Sequence, residues 1–193
     1  MLDNLNEYNV ILASKSPRRQ ELLGGMGVTF QVQTKETDES FPSSMDSVEV
    51  AAYLSKKKSL AFSDDELPLS YLLITADTIV VADDVILGKP SDAAEARSML
   101  MTLADRRHRV VTGVTVRNSK RSVTFSVTSE VCFSPLEESE IKYYIDNFRP
   151  FDKAGAYGIQ EWIGYVGISE LYGSFYNVMG LPTQRLFQVL KTF

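Results

Sequence analysis

The chain has 193 residues and a formal net charge of −5, with 44% hydrophobic and 23% charged residues. That is the composition of a soluble globular chain, at a length that leads us to expect one domain over 1–193. The acidic balance argues against general nucleic-acid binding. One cysteine, Cys132, excludes an internal disulfide or a cysteine zinc site, and one histidine, His108, excludes a His-rich metal site.

The opening residues carry acid and no base before a short apolar run, unlike a signal peptide. No apolar run reaches the roughly 18 residues of a membrane helix, so the expected location is the cytoplasm, with no membrane partner.

In chain order, Val10–Ala13 reads as a buried strand. Ser14-Lys15-Ser16 is a turn, and Pro17 opens a short helix with Ser16 as its N-cap. Gly24, Gly25 and Gly27 end that helix. Val28–Thr34 alternates like a strand, and Lys35–Ser44 is a loop. Apolar residues at helical spacing give a helix over 47–62, with Lys56-Lys57-Lys58 in its second half.

Tyr71–Thr75 is an apolar strand leading into Ala76-Asp77-Thr78. Ile79–Ala82 and Val85–Leu87 flank Asp83-Asp84 as a tight hairpin. Ser91 is expected to cap a helix over 92–104. Arg109–Arg117 and Ser122–Phe133 read as strands joined at Asn118-Ser119-Lys120, and Glu137–Phe148 as an amphipathic helix. Short strands are expected around Tyr165–Ile168 and Ser174–Met179, then a last helix after Pro182. Interleaved strands, hairpins and helices define an α/β class with a mixed sheet.

Four stretches carry chemistry. In Ser14-Lys15-Ser16-Pro17-Arg18-Arg19 a strand–turn–helix join exposes backbone N–H groups at a helix start, a ready anion site. Two arginines in the first turn oppose the helix dipole unless an anion sits before them. Alone, they are also a solvated surface turn. Asp77, read as the end of a hydrophobic strand, stands where α/β proteins place ligands, as base, metal ligand or plain cap. Gly88-Lys89-Pro90 aims an ammonium from a short loop. Asp152-Lys153-Ala154-Gly155-Ala156-Tyr157-Gly158-Ile159-Gln160 has a backbone that a ligand can approach, and an amide that both donates and accepts. The candidate cations are thus Arg18, Arg19, Lys58, Lys89 and Lys153, and the candidate acids Asp38, Glu39, Asp77 and Asp152. Such a set points to a polyphosphate held with a divalent metal.

The ordered segments ILASKSPRRQELL (11–23), TDE (37–39), ITADTIV (74–80), GKP (88–90), VTGV (111–114), DKAGAYGIQ (152–160) and NVMGLP (177–182) resemble the Maf family of nucleoside triphosphate pyrophosphatases, also called septum formation inhibitor-like proteins. The resemblance runs from residue 10 to the final helix. It implies a Maf/Ham1 (ITPase-like) α/β fold, with a twisted mixed sheet flanked by helices and two lobes around a central cleft. It also implies cleavage of a nucleoside triphosphate between the α and β phosphates, with Mg²⁺, Mn²⁺ or Co²⁺ as cofactor, and a possible homodimer.

Members with AGAYGIQ resemble the branch acting on dTTP and UTP, whereas 7-methyl-GTP members carry glutamate in place of Gln160. A neutral amide suits a pyrimidine's mixed donor–acceptor edge. The resemblance makes Asp77 the general base or a metal ligand and Glu39 a metal ligand. It gives Arg19, Lys58 and Lys89 the phosphate charge, and Ser14 the phosphate cradle. Arg18 and Lys153 are further substrate-binding candidates. After Gln160 the family shows Gly-x-Gly, where this chain has Glu161-Trp162-Ile163-Gly164, a bulky departure expected to reshape the base pocket. The alternatives are a 7-methyl-GTP pyrophosphatase and a non-catalytic nucleotide-binding regulator.

Overall fold

The computed structural model describes residues 2–193. Its strands form one mixed sheet in the order β2-β1-β3-β5-β6-β7, with β4 paired to β3. β1 (Asn9–Leu12) lies between β2 (Gln31–Val32) and β3 (Tyr71–Ala82), parallel to both, with Ile11 opposite Gln31 and Leu73. β4 (Val85–Leu87) folds back antiparallel on β3, with Ala82 opposite Val85. The two turn residues, Asp83 and Asp84, have φ of 48° and 62°, the left-handed pair of a type I′ hairpin turn. β5 (Arg107–Arg117) and β6 (Ser122–Phe133) follow, and β7 (Ile168–Tyr172) pairs antiparallel with β6.

The helices are α1 (Pro17–Gly25), α2 (Ser47–Leu60), α3 (Ala93–Leu103), α4 (Glu138–Phe148), α5 (Trp162–Val166), α6 (Phe175–Met179) and α7 (Thr183–Leu190). The mixed α/β class therefore stands, and several local expectations are corrected. Val28–Thr34 yields only the two-residue β2, both residues exposed at the sheet edge. The cap of α3 is Asp92, whose carboxylate accepts from Glu95 N at 2.8 Å; Ser91 instead donates to Glu95. Ser174–Met179 is mostly helix α6, because Asn177 turns inward and donates to Val110 O at 3.1 Å and Ser129 Oγ at 3.0 Å. Tyr165 and Val166 close α5, and the strand begins only at Ile168.

The chain divides into two compact units. The first holds the residues up to Asp77, Thr112–Val127 and Gly180–Phe193; the second holds Thr78–Val111 and Thr128–Met179. In the first unit Ile11, Phe62, Leu67, Tyr71 and Leu73 form a buried cluster. There α2 lies directly on β5: a Cβ at Gly113 would stand 2.2 Å from the Ala51 backbone. This close approach is what the glycine of VTGV provides. Hydroxyls lock the contact laterally. Thr75 Oγ1 donates to Ser55 O at 2.7 Å, and Ser55 Oγ meets Thr115 Oγ1 at 3.0 Å. In the second unit α3 packs on α4, and His108, Phe133 and Tyr157 form a buried aromatic group.

Candidate active site

In the first unit, five of the residues singled out in the sequence come together. Ser16 caps α1 as expected, its side chain accepting from Arg19 N, and Pro17 takes the first helical position. Arg19 therefore falls one turn in, where its guanidinium is anchored. Its Nε donates to Gly180 O at 2.8 Å, and its Nη1 to Ala76 O at 2.9 Å and Ser14 Oγ at 3.4 Å. Burial lowers the Arg19 pKa, while the carboxylates of Asp77 and Glu39 pull it back up. An arginine stays charged under such a shift. The glycine of NVMGLP thus has a use that sequence reasoning did not see: its carbonyl fixes Arg19. Arg18 lies beside it, half-buried.

Asp77 is not at a strand end, because β3 continues to Ala82. β3 nevertheless loses its β1 neighbour at Ile74, which pairs with Leu12; Ala13 N then bonds Ile74 O and the chain turns away. Asp77 is three residues beyond that point and buried. It shares its strand face with Thr75, the residue bonded to α2. Ser55 and Lys58 are three apart on α2 and so lie on one side of it. Lys58 accordingly meets Asp77. Its ammonium is ion-paired with Asp77 Oδ1 and, at 2.7 Å, with Glu39 Oε1.

The neighbouring lysines are used otherwise. Lys57 pairs with Asp38 at 2.8 Å, and Lys56 is exposed. The loop 35–40 is thus tied to the α2 region by Lys35–Glu66, Lys57–Asp38 and Lys58–Glu39 pairs, which set the place of Glu39. Hydrogen bonding to Lys57 pulls the Asp38 pKa below the usual carboxylate range.

Two carboxylate oxygens bracketing one ammonium are also a fit for a divalent cation. Both are hard oxygen donors, and Mg²⁺ is ordinarily held by one or two carboxylates plus substrate phosphates. Among the described residues no group of three or more His, Cys, Asp or Glu gathers.

The remaining candidates lie in the second unit. Lys89 is exposed on the loop between β4 and α3, and Gly88 O accepts from Gly155 N at 3.0 Å, tying GKP to DKAGAYGIQ. Gly155 has φ of 68°, with a Cβ position 2.9 Å from Val80, so only glycine fits that turn. Lys153 is buried, with its ammonium between Asp152 Oδ1 at 2.7 Å and Glu161 Oε1 at 3.0 Å. Glu161 also accepts from Tyr144 Oη, which accepts from Gly158 N at 3.0 Å. Burial and the Glu161 carboxylate raise the Tyr144 pKa.

Glu161 and Trp162, the departure from the Gly-x-Gly pattern, thus face Lys153, Tyr144 and Tyr143, with the Trp162 and Tyr143 rings 4.9 Å apart. Tyr144 was invisible as a site residue, since in a helical pattern it reads as core. Gln160 Oε1 is buried without a hydrogen-bond partner in the protein. A buried acceptor left open is a place for a ligand donor.

An α/β protein with cations and acids gathered behind a capped helix start is of the kind that handles phosphorylated small molecules. Residues 9–193 match the Maf-like protein family, and the chain belongs to it. A protein of Parabacteroides distasonis named dTTP/UTP pyrophosphatase is 50% identical, with all of both chains covered. Proteins of the same name from Porphyromonas gingivalis and Bacteroides thetaiotaomicron are 49% and 48% identical, covering 100% and 99% of this chain and 98% and 99% of their own. Among solved structures, a HAM1 protein from Coxiella burnetii aligns with 96% of this chain and 100% of its own, at a TM-score of 0.46 and 13% identity.

Proposed function

We propose that the protein is a metal-dependent pyrophosphatase of dTTP and UTP, or of related and modified pyrimidine nucleotides. It would hydrolyse them between the α and β phosphates to a nucleoside monophosphate and pyrophosphate. The observation that carries the reading is the Glu39–Lys58–Asp77 trio beside the anchored Arg19, together with full-length relatives of that name.

Asp77 takes a proton from the attacking water, whose oxygen bonds the α phosphorus as the bridge to the β phosphate breaks. The bridging oxygen leaves with pyrophosphate. Glu39 and Asp77 would hold the divalent cation, which would supply charge neutralisation to the phosphate oxygens. Arg19 and Lys58 place fixed and mobile positive charge against the triphosphate, with Arg18 and Lys89 adding to it. Ser14 and the N–H groups at the start of α1 cradle a phosphate. Gln160 presents its open acceptor to the base N–H. We give Lys153 the task of holding the loop that carries Gln160. We further propose one catalytic domain, a cytoplasmic location and a homodimer, as the family resemblance implies.

The test is incubation with Mg²⁺ and each triphosphate, 7-methyl-GTP included, with products identified. Monophosphate and pyrophosphate from dTTP and UTP are expected. Orthophosphate release would remove the α–β cleavage, and preference for 7-methyl-GTP would remove the pyrimidine assignment.

A further inference from the structure

We propose that Lys58 holds the place of the divalent cation while no nucleotide is bound, and yields it when a nucleoside triphosphate arrives. This rests on the reading of Glu39 and Asp77 as the metal-holding pair. Glu39 Oε1 lies 2.7 Å from the Lys58 ammonium, and Asp77 Oδ1 is paired with the same nitrogen. The two oxygens are therefore within about 5 Å of each other, with the ammonium between them. A divalent ion held by both at about 2.0–2.1 Å needs the two oxygens within about 4.2 Å of each other, so the carboxylates would close on the space that the ammonium occupies. Ammonium and metal cannot share it, since like charges a few ångströms apart in a partly buried site repel strongly.

The two nearby cations differ in their freedom to move. Arg19 is fixed by the carbonyls of Gly180 and Ala76. Lys58 has a flexible four-carbon stem on a helix held independently by Ser55 and by the close approach at Gly113. The ammonium can leave without disturbing α2. Metal alone would add two positive charges and strand the displaced ammonium beside Arg19. A triphosphate supplies the anion that receives Lys58 and offsets the metal. Metal and nucleotide binding are then reciprocally coupled, each strengthening the other. The device keeps the site from loading metal in the absence of something to cleave.

Mn²⁺ binding followed by electron paramagnetic resonance tests this without turnover. Wild type should bind Mn²⁺ at least ~10-fold more tightly with an α,β-methylene dTTP analogue than alone, within the usual range of coupling. Lys58→Met should bind Mn²⁺ alone about 10-fold more tightly than wild type, with the coupling reduced to about 3-fold or less. Lys58→Gln serves as a second variant if the first folds poorly, and Lys58→Arg should keep the weak binding of wild type. If Met and Gln variants bind Mn²⁺ alone no more tightly, while Asp77→Asn abolishes binding with the analogue, the displacement is wrong and the metal pair stands. If Asp77→Asn and Glu39→Gln leave Mn²⁺ binding with the analogue intact, the metal pair falls and this inference falls with it.

Discussion

Each unit contains a lysine held between two carboxylates, and the two arrangements differ in how they are built. Lys58 sits between Glu39 and Asp77, drawn from a loop, a helix and a strand; the side chains of Lys58, Glu39 and Asp77 are 18%, 48% and 11% exposed. Lys153 sits between Asp152 and Glu161, neighbours along one segment, and its own side chain is 8% exposed. The second trio is extended by Tyr144 into the backbone at Gly158. One gathers charge from distant segments at a point open to a ligand. The other uses charge to fasten a turn. The two acid–lysine–acid groups share a composition and differ in what lies behind them.

The sharpest break between the two should come from Asp77→Asn. Lys58 keeps Glu39 as a partner, so the fold should survive, while turnover falls by ~10²-fold or more with loss of the base. The measurement is kcat with dTTP beside a thermal melt. Near-normal turnover would take Asp77 out of the chemistry and make the first trio a fastening like the second.

Acid should separate the units next. His108 is buried in the second unit, with Nε2 2.7 Å from Tyr157 Oη, and desolvation pushes its pKa from 6.5 down to about 4. Between those values the unfolded chain takes up a proton that the folded one refuses. This contribution is therefore full above pH 6.5 and lost as the pH falls toward 4, by up to roughly 3 kcal/mol. In the first unit, Glu66 is held down to about 2 by its hydrogen bond to Lys35, so that carboxylate stays charged over the same range. The fluorescence of Trp162, the single tryptophan, reports on the second unit. Unfolding free energies at pH 7 and pH 4.5 should differ markedly for wild type and much less for His108→Gln. An equal difference in both would assign the acid sensitivity elsewhere.

The same contrast explains what the sequence could disclose. The capped start of α1 and the Asp83-Asp84 turn depend on adjacent residues, and local chemistry is enough to read them. The fastening around Lys153 is also short in span, yet Glu161 reads in the sequence as an intrusion on the base pocket, because its partner Tyr144 is 17 residues away on α4. Which of Lys56, Lys57 and Lys58 faces Asp77 depends on how α2 is rotated against β3 and β5. Ser55 and Gly113 decide that through contacts 20 to 62 residues apart. The helix at Phe175–Met179 has strand-forming aromatics, and the inward turn of Asn177 overrides them.

The smallest expected effect concerns the fastening alone. Tyr144→Phe removes one hydroxyl, leaving Gly158 N–H without its acceptor and Glu161 without one donor. Lys153 still holds Glu161, so the loss of stability should be about 1–2 kcal/mol, that of a partly compensated buried hydrogen bond. A Cβ at Gly158 would lie 2.8 Å from Gln160 Nε2, so a shift of that backbone moves the amide directly. If the amide meets only the base, its displacement weakens binding of substrate and transition state alike. KM for dTTP should then rise about 3-fold with kcat unchanged, and the preference for pyrimidine over purine triphosphates should narrow. A merely structural tyrosine would lower the melting temperature and leave both quantities alone. A fall in kcat at constant KM would mean that the loop acts on the reacting phosphates, so that the second unit's trio does more than fasten.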